Sequence, residues 1–413
     1  FLERQDRAFI TRCVEGTLEY RIQIDAVLDR FSKVKTAKMK PVIRAILRMG
    51  VYQLKYMDSV PASAACNEAV KLAKKKGFGQ LSGFVNGVLR GVSRGLDQLT
   101  YPKESVDAVK AWSVRYSMPE WIVAQWIGDY GKERTKEILA ASLLEAPITV
   151  RANLERITPE ALAERFKEEG VTAVPLDTEK YPGLSYVYTI FGFDHLNGLS
   201  SFKEGLFYVQ DISSMMVAEY AAPKEGDHCI DVCAAPGGKS FAAALQMQDR
   251  GTLYSCDIHP HRLDLIERGA ERLGISILET HLQDASQPVP AWRSAMDVVL
   301  ADVPCSGLGV IRKKPDIRYH EPSAELPALQ RAILAQQAEY VRPGGVLLYS
   351  TCTILRRENE AVAEDFLHTH PDFVPENAPW PEGSGIAPGA MVTLLPGQHE
   401  TDGFFICKFR RKP

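Results

Sequence analysis

From Asp227 to Thr369 the chain alternates between short apolar runs and stretches of helical periodicity. The runs fall at 229–232, 252–256, 275–279, 298–301 and 346–349, and helices are expected over 240–247, 262–273, 326–340 and 357–369. A strand that reaches the next only through a helix pairs in parallel, so this stretch is constrained to a doubly wound, mostly parallel sheet. Parallel strands are covered on both faces, which explains runs that are apolar throughout. Two further runs, 391–395 and 404–409, are expected to pair as a terminal hairpin and add an antiparallel edge. Ligands of such sheets bind outside the carboxyl ends of the strands.

Three of those ends carry unusual loops. The first is Cys233-Ala234-Ala235-Pro236-Gly237-Gly238-Lys239, where Gly237 and Gly238 open a helix directly after a strand and offer backbone N–H groups to an anionic ligand group. Gly238-Lys239-Ser240 matches the second half of a P-loop, but Cys233 stands where the first glycine is required. No Gly-x-Gly-x-x-Gly is present either. An acid about 20 residues past the loop, Asp257, ends the next strand, where a carboxylate can accept both ribose hydroxyls of a nucleoside. Asp284 and Asp302 continue the rim beyond the third and fourth strands. Taken singly, each reads equally well as a solvated loop residue or helix cap. Together they suit S-adenosylmethionine (AdoMet), whose adenosine needs the acids and whose small carboxylate needs only a short anion loop.

The other two loops are Asp302-Val303-Pro304-Cys305-Ser306-Gly307 and Tyr349-Ser350-Thr351-Cys352-Thr353. Cys229, Cys256 and Cys407 lie inside apolar runs and read as small core residues. Cys305 and Cys352 follow strand ends among turn-formers and hydroxyls, where a thiol can be exposed and its pKa adjusted. A thiol beside a methyl donor has a chemical purpose when the acceptor is C5 of a pyrimidine. That carbon is a poor nucleophile until a thiolate adds to C6. Asp302 is placed to hydrogen bond N3 and assist the addition, and a second thiol can aid the final release.

Ahead of the sheet the chain changes character. Residues 1–100 carry 18 Lys+Arg against 9 Asp+Glu, and the remaining 313 carry 31 against 43, so a module of charge +9 precedes a body of −12. Such a module suits a polyanionic partner, although a solvated helical surface would look similar. Helices are expected over 6–20, 21–31, 40–56, 63–75 and 81–94, then a helical connector over 101–145. Residues 146–222 read as a small α+β module with strands at 148–152, 187–190 and 206–210 and a helix at 159–169. No run approaches 18 apolar residues and no secretory leader is visible, so no membrane partner is expected and the compartment reads as cytoplasmic. The eight cysteines are scattered without metal-ligand spacing, which argues against a disulfide framework and a metal site.

Two resemblances sharpen this reading. Ile43-Arg44-Ala45-Ile46-Leu47-Arg48-Met49-Gly50-Val51-Tyr52-Gln53-Leu54, Asn67-Glu68-Ala69-Val70 and Phe84-Val85-Asn86-Gly87-Val88-Leu89-Arg90 resemble the NusB-type RNA-binding helical domain. That family has one more helix ahead of this point, so the first helix is expected to be missing from a chain that starts at Phe1. The glycine loop, Asp257, Asp284, Asp302 to Gly309, Arg312-Lys313-Lys314-Pro315-Asp316 and Tyr349 to Thr353 resemble the RNA (cytosine-C5)-methyltransferases. The helical domain narrows this to the RsmB (Sun/Fmu) type. The resemblance implies an all-α NusB-like domain (1–100), a connector (101–145), the α+β module (146–222) and a Rossmann-like AdoMet-dependent methyltransferase domain (223–413). It further implies AdoMet held by residues 233–239, Asp257, Asp284 and Asp302, and small-subunit ribosomal RNA as the substrate. Cys352 would be the nucleophile that bonds C6 of the target cytosine, and Cys305 would serve release of the adduct. In the related DNA enzymes the Pro-Cys cysteine attacks instead. Arg312, Lys313, Lys314 and Arg318 beside the Pro-Cys loop are expected to meet RNA. Two rival readings are a P-loop-like nucleotide hydrolase, which leaves Cys352 without a role, and a non-catalytic RNA-binding scaffold, which an intact set of acids and thiols disfavours.

Overall fold

The structure is a computed structural model that describes residues 3–181, 183–380, 386 and 388–413. It comprises two compact units, Phe1–Leu144 together with Ile311–His320, and Glu145–Val310 together with Glu321–Pro413.

The first unit is helical: α1 (Arg4–Glu19), α2 (Arg21–Phe31), α3 (Pro41–Tyr56), α4 (Ala62–Lys75), α5 (Ser82–Gly95), α6 (Ala108–Arg115) and α7 (Glu120–Ala141). Pro41 starts α3 at the position where a missing N–H costs nothing. The helix then buries Ile43, Ile46, Leu47, Gly50 and Val51, a single stripe at three- and four-residue spacing. That stripe packs with Ile24 and Leu28 of α2 and with Val85, Leu89 and Val92 of α5. Asp107 caps α6 by accepting the Lys110 N–H at 3.0 Å, and α7 bends at Gly131, whose φ is +76°.

Residues Ile311–His320 complete this unit through a short 3₁₀ turn, Pro315–Tyr319. Arg318 is fully buried and donates from Nη1 to the carbonyls of Glu19 (3.2 Å) and Ser117 (3.1 Å). Tyr319 donates its hydroxyl to the Leu18 carbonyl at 2.5 Å, and the Arg21 guanidinium lies 3.8 Å from its ring centre. The expectation that Arg318 faces RNA is therefore corrected: its charge is turned onto main-chain carbonyls, while Lys313 and Lys314 remain exposed.

The second unit opens with β1 (Ile148–Ala152), α8 (Pro159–Glu168), β2 (Thr172–Pro175), β3 (Val187–Phe191), α9 (Ser200–Lys203), β4 (Phe207–Val209) and α10 (Ile212–Ala221). These strands form an antiparallel sheet in the order β2-β3-β1-β4. The larger sheet follows with β5 (His228–Asp231), α11 (Gly238–Gln246), β6 (Thr252–Asp257), α12 (Pro260–Leu273), β7 (Leu278–Leu282) and β8 (Met296–Asp302). It is completed by α13 (Leu326–Ala338), β9 (Val341–Thr351), α14 (Glu360–Thr369), β10 (Phe373–Pro375), β11 (Met391–Leu394) and β12 (Phe404–Arg411). One apolar core runs from Val150, Phe166 and Phe207 through Met215 to Leu253, Leu300 and Ile406, so the small sheet and the large one share an interior.

The large sheet has the order β7-β6-β5-β8-β9-β12-β10, with β11 beside β12. Strands β5 to β9 are parallel, β12 is antiparallel to β9, and β11 forms the expected terminal hairpin with β12. The connections run to opposite sides at β5, with β6 on one flank and β8 on the other. The ligand crevice of a doubly wound sheet opens at that reversal. The third strand begins at Leu278 rather than Ile275, because Asp249 holds the N–H groups of Ser276 and Ile277 in the preceding turn. No helix of the described residues is long and apolar enough to cross a membrane.

Candidate active site

The glycine loop leaves β5 at the reversal point. Its N–H groups anchor it to the neighbouring strands, Val232 to the Leu300 carbonyl (3.0 Å) and Ala234 to the Cys256 carbonyl (2.8 Å). Gly237 adopts φ +108°, and a Cβ there would collide with the Phe241 ring of α11, so only glycine can make the turn that points α11 at the crevice. Cys233 has its thiol pKa pushed well up by burial and by the surrounding acids, which leaves it no nucleophile.

Lys239, the last residue of the loop, does not wait for a phosphate. Its Nζ donates to Asp302 Oδ2 at 2.7 Å, and Asp302 Oδ1 accepts from the Ser350 hydroxyl at 2.8 Å. Burial alone would pull the Lys239 pKa down, but the charge and hydrogen bond of Asp302, with Asp231 behind it, outweigh that and leave it raised. Both Asp302 oxygens thereby accept hydrogen bonds within the fold.

Asp231, at the tip of β5, was not singled out from the sequence, although the strand-end argument used for Asp257 applies to it equally. Its Oδ2 accepts from the Ser240 hydroxyl (2.8 Å), which accepts in turn from Ser255 (2.9 Å). Its Oδ1 is buried with no hydrogen-bond partner among the described residues. Burial pushes its pKa up to about 6. A buried acceptor left open at a strand end is what a polar ligand group would complete.

Asp257 ends β6 as expected, but its carboxylate is engaged within the fold. Oδ1 accepts the His259 N–H at 3.0 Å, and Arg262 of α12 lies 3.0 Å from Oδ2 while also donating to the Ala235 carbonyl. Arg262 escaped sequence reasoning because one arginine in a helix's first turn reads as a solvated side chain. Asp284 lies just past β7, exposed, with Oδ1 accepting the N–H and hydroxyl of Ser286. It serves there as a turn residue.

The two cysteine loops leave adjacent strands, with Asp302 in register with Ser350. The Cys305 and Cys352 sulfurs are 3.2 Å apart, and none of the eight cysteines is in a disulfide. The hydrogen bond to Cys352, followed by burial, pushes the Cys305 thiol far up. Either sulfur can supply the S–H of this contact. Ser306 and Thr353, the residues after the two thiols, join hydroxyls at 2.8 Å.

These groups fit AdoMet. The open Asp231 carboxylate and the start of α11 offer an acceptor and a set of N–H groups for a small zwitterion, and Asp257 stands at the ribose position of such sheets. They do not fit a triphosphate, because the only cation of the loop is committed to Asp302.

Comparison with known proteins gives the family and the fold. Residues 218–410 match the family described as 16S rRNA methyltransferase RsmB/F, residues 2–94 match the NusB family, and residues 118–180 match the RsmF/B-like ferredoxin-like domain. The chain is 36% identical to the probable ribosomal RNA small subunit methyltransferase B of Bacillus subtilis, over 100% of this chain and 92% of that protein. It is 35% identical to the corresponding protein of Synechocystis sp., over 99% and 92%. Among solved structures, PH0851 superposes with a TM-score of 0.82 at 26% identity, covering 98% of this chain and 90% of that one. A methyltransferase homolog from Pyrococcus horikoshii superposes with a TM-score of 0.63 at 25% identity, covering 74% and 99%.

Proposed function

Because the chain belongs to the ribosomal RNA small subunit methyltransferase B family, enzymes that methylate 16S ribosomal RNA with AdoMet, we propose that it transfers the methyl group to C5 of a cytosine through a covalent bond between Cys352 and C6. The observation that carries this reading is the pair of thiols 3.2 Å apart at the ends of adjacent strands. Methylation of a nitrogen or oxygen needs no enzyme nucleophile. C5 of a pyrimidine does.

The residues divide the work as follows. When bound, AdoMet supplies an electrophilic methyl group, and residues 233–239 with Asp257, Asp284 and Asp302 are those that would hold it. The Cys352 thiolate adds to C6, and the electrons of the C5=C6 bond move to C5, making it nucleophilic. Charge develops on the N3 side of the ring, N3 takes up a proton from solvent, and Asp302, paired with Lys239, accepts the hydrogen bond from N3–H until that proton returns to solvent as the ring is restored. After methylation the C5 proton passes to solvent water, the double bond re-forms and Cys352 departs as a thiolate. Cys305, whose sulfur lies 3.2 Å from that of Cys352, stabilises the departing charge by donating its S–H to it. A stacked, paired cytosine hides C6, so the target base lies in a loop or bulge or is turned out of its helix. The exposed basic residues of the helical unit serve to dock that RNA.

The test is transfer of labelled methyl from AdoMet to fragments of 16S ribosomal RNA, with the product mapped as 5-methylcytosine. Cys352→Ala is expected to abolish turnover and form no adduct while still binding AdoMet and RNA. Cys305→Ala is expected to attack and methylate but release slowly, leaving a protein–RNA adduct that survives denaturing electrophoresis. The reverse outcome would make Cys305 the nucleophile.

A further inference from the structure

Each cysteine is held on both sides by hydrogen bonds that trace back to two consecutive residues, Glu358 and Asn359, just ahead of α14. Both are fully buried. Glu358 Oε2 accepts the Ser306 N–H at 2.9 Å and the Gln330 Nε2 at 3.0 Å, and the same Gln330 amide donates to the Pro304 carbonyl at 3.0 Å. The peptide groups flanking Cys305 are thus gripped by one carboxylate and one amide. Asn359 holds the two neighbours of Cys352: its Nδ2 donates to the Thr353 carbonyl at 2.9 Å, and its Oδ1 accepts from the Thr351 hydroxyl at 2.6 Å. The Glu358 carbonyl is itself fixed by the buried Tyr349 hydroxyl of β9.

We propose that Glu358 and Asn359 are positioning residues for the two thiols, Asn359 aligning Cys352 for attack and Glu358, through Gln330, aligning Cys305 for release. This rests on the chemistry proposed above. Neither residue touches the reacting sulfurs, yet displacement of a reacting group by about 1 Å costs on the order of 100-fold in rate. A carboxylate so placed is otherwise unfavourable, since Oε1 is buried with no partner among the described residues. Both of its bonds fall on Oε2, which a glutamine oxygen can replace.

The experiment measures turnover, adduct yield and AdoMet affinity in the full chain for Glu358→Ala, Glu358→Gln, Gln330→Met and Asn359→Ala, beside wild type and Cys305→Ala. Glu358→Ala and Gln330→Met are expected to accumulate adduct as Cys305→Ala does, with turnover reduced about 10- to 100-fold and AdoMet affinity within about twofold. Glu358→Gln restores release. Asn359→Ala is expected to lower adduct formation and turnover together, about 100-fold. Wild-type adduct levels and turnover in Glu358→Ala, or a Glu358→Gln as impaired as the alanine variant, would overturn the proposal. So would parallel loss of AdoMet binding and thermal stability in every variant, the signature of a merely structural role. If Glu358→Ala fails to fold, Gln330→Met decides the matter. Absence of adduct from both wild type and Cys305→Ala overturns the underlying chemistry, and this inference with it.

Discussion

Lys239 in the first turn of α11 and Asp302 at the end of β8 stand with Nζ 2.7 Å from Oδ2, so the methyl-donor loop and the first cysteine loop share one ion pair. The consequence is a coupling between residues 63 positions apart. Their side chains are 14% and 23% exposed, so breaking the pair costs less than in a dry interior, about 1–3 kcal/mol. Lys239→Met leaves an uncompensated carboxylate, and the double variant Lys239→Met/Asp302→Asn removes it. The double variant is expected to be more stable than Lys239→Met alone in denaturant unfolding. Strict additivity would show that the two charges do not support each other.

A second prediction concerns the ribose side of the site. Asp257→Asn keeps the shape but loses the charge, and AdoMet affinity on titration calorimetry is expected to fall by about 1–3 kcal/mol. Because Asp257 also holds Arg262 and the His259 N–H, its alanine variant should lose stability as well as affinity. Asp284→Ala, at an exposed turn, should lose less of both. Equal affinity losses at the two positions would contradict this ranking.

The buried Asp231 predicts a pH dependence. Its pKa is raised from 3.8 to about 6 by burial, so the folded chain holds this proton where the unfolded chain releases it. The resulting stabilisation is complete below about pH 4 and is lost as pH rises through 6, about 3 kcal/mol in all. Asp231→Asn cannot titrate there. Its stability relative to wild type should therefore rise by about that amount between pH 4 and pH 7, measured by urea unfolding at each pH. A constant difference would mean that Asp231 is not the titrating group.

What could be read beforehand follows from how local each signal was. The stripe of α5, with Val85, Val88, Leu89 and Val92 buried, is written within one helix and was placed within a residue or two. The strand β2 was missed because Thr172–Pro175 is an edge strand with little burial and carries no apolar run. The cysteines were legible because a thiol after an apolar strand, among turn residues, has a defined place in a parallel sheet. Their surroundings were not. The Lys239–Asp302 pair, the Arg262–Asp257 contact and the Glu358–Ser306 bond each depend on how distant loops meet. Arg318 shows the cost most clearly: a basic residue in a basic segment read as RNA-facing, and only the carbonyls of Glu19 and Ser117 explain its burial.

The last prediction addresses docking. Lys74, Lys75 and Lys76 crowd the exposed end of α4. Replacing all three with glutamine should weaken binding to 16S fragments and flatten the log–log salt dependence by up to about 2–3 units, if each lysine meets a phosphate. Stability should fall only slightly, through lost interactions with the helix dipole. An unchanged salt slope would remove this end of α4 from the RNA surface.

The helical unit is not continuous along the chain, since it closes only when Ile311–His320 joins it. During synthesis, which proceeds at roughly 5–20 residues per second, helices α1 to α7 emerge without the segment that supplies Arg318 and Tyr319. Until translation has passed β5 to β8, the carbonyls of Leu18, Glu19 and Ser117 lack the donors that Tyr319 and Arg318 supply. Completion of the helical unit is thereby made contingent on the strands that bear the glycine loop and the first cysteine loop, so a nascent chain interrupted before residue 320 can finish neither unit.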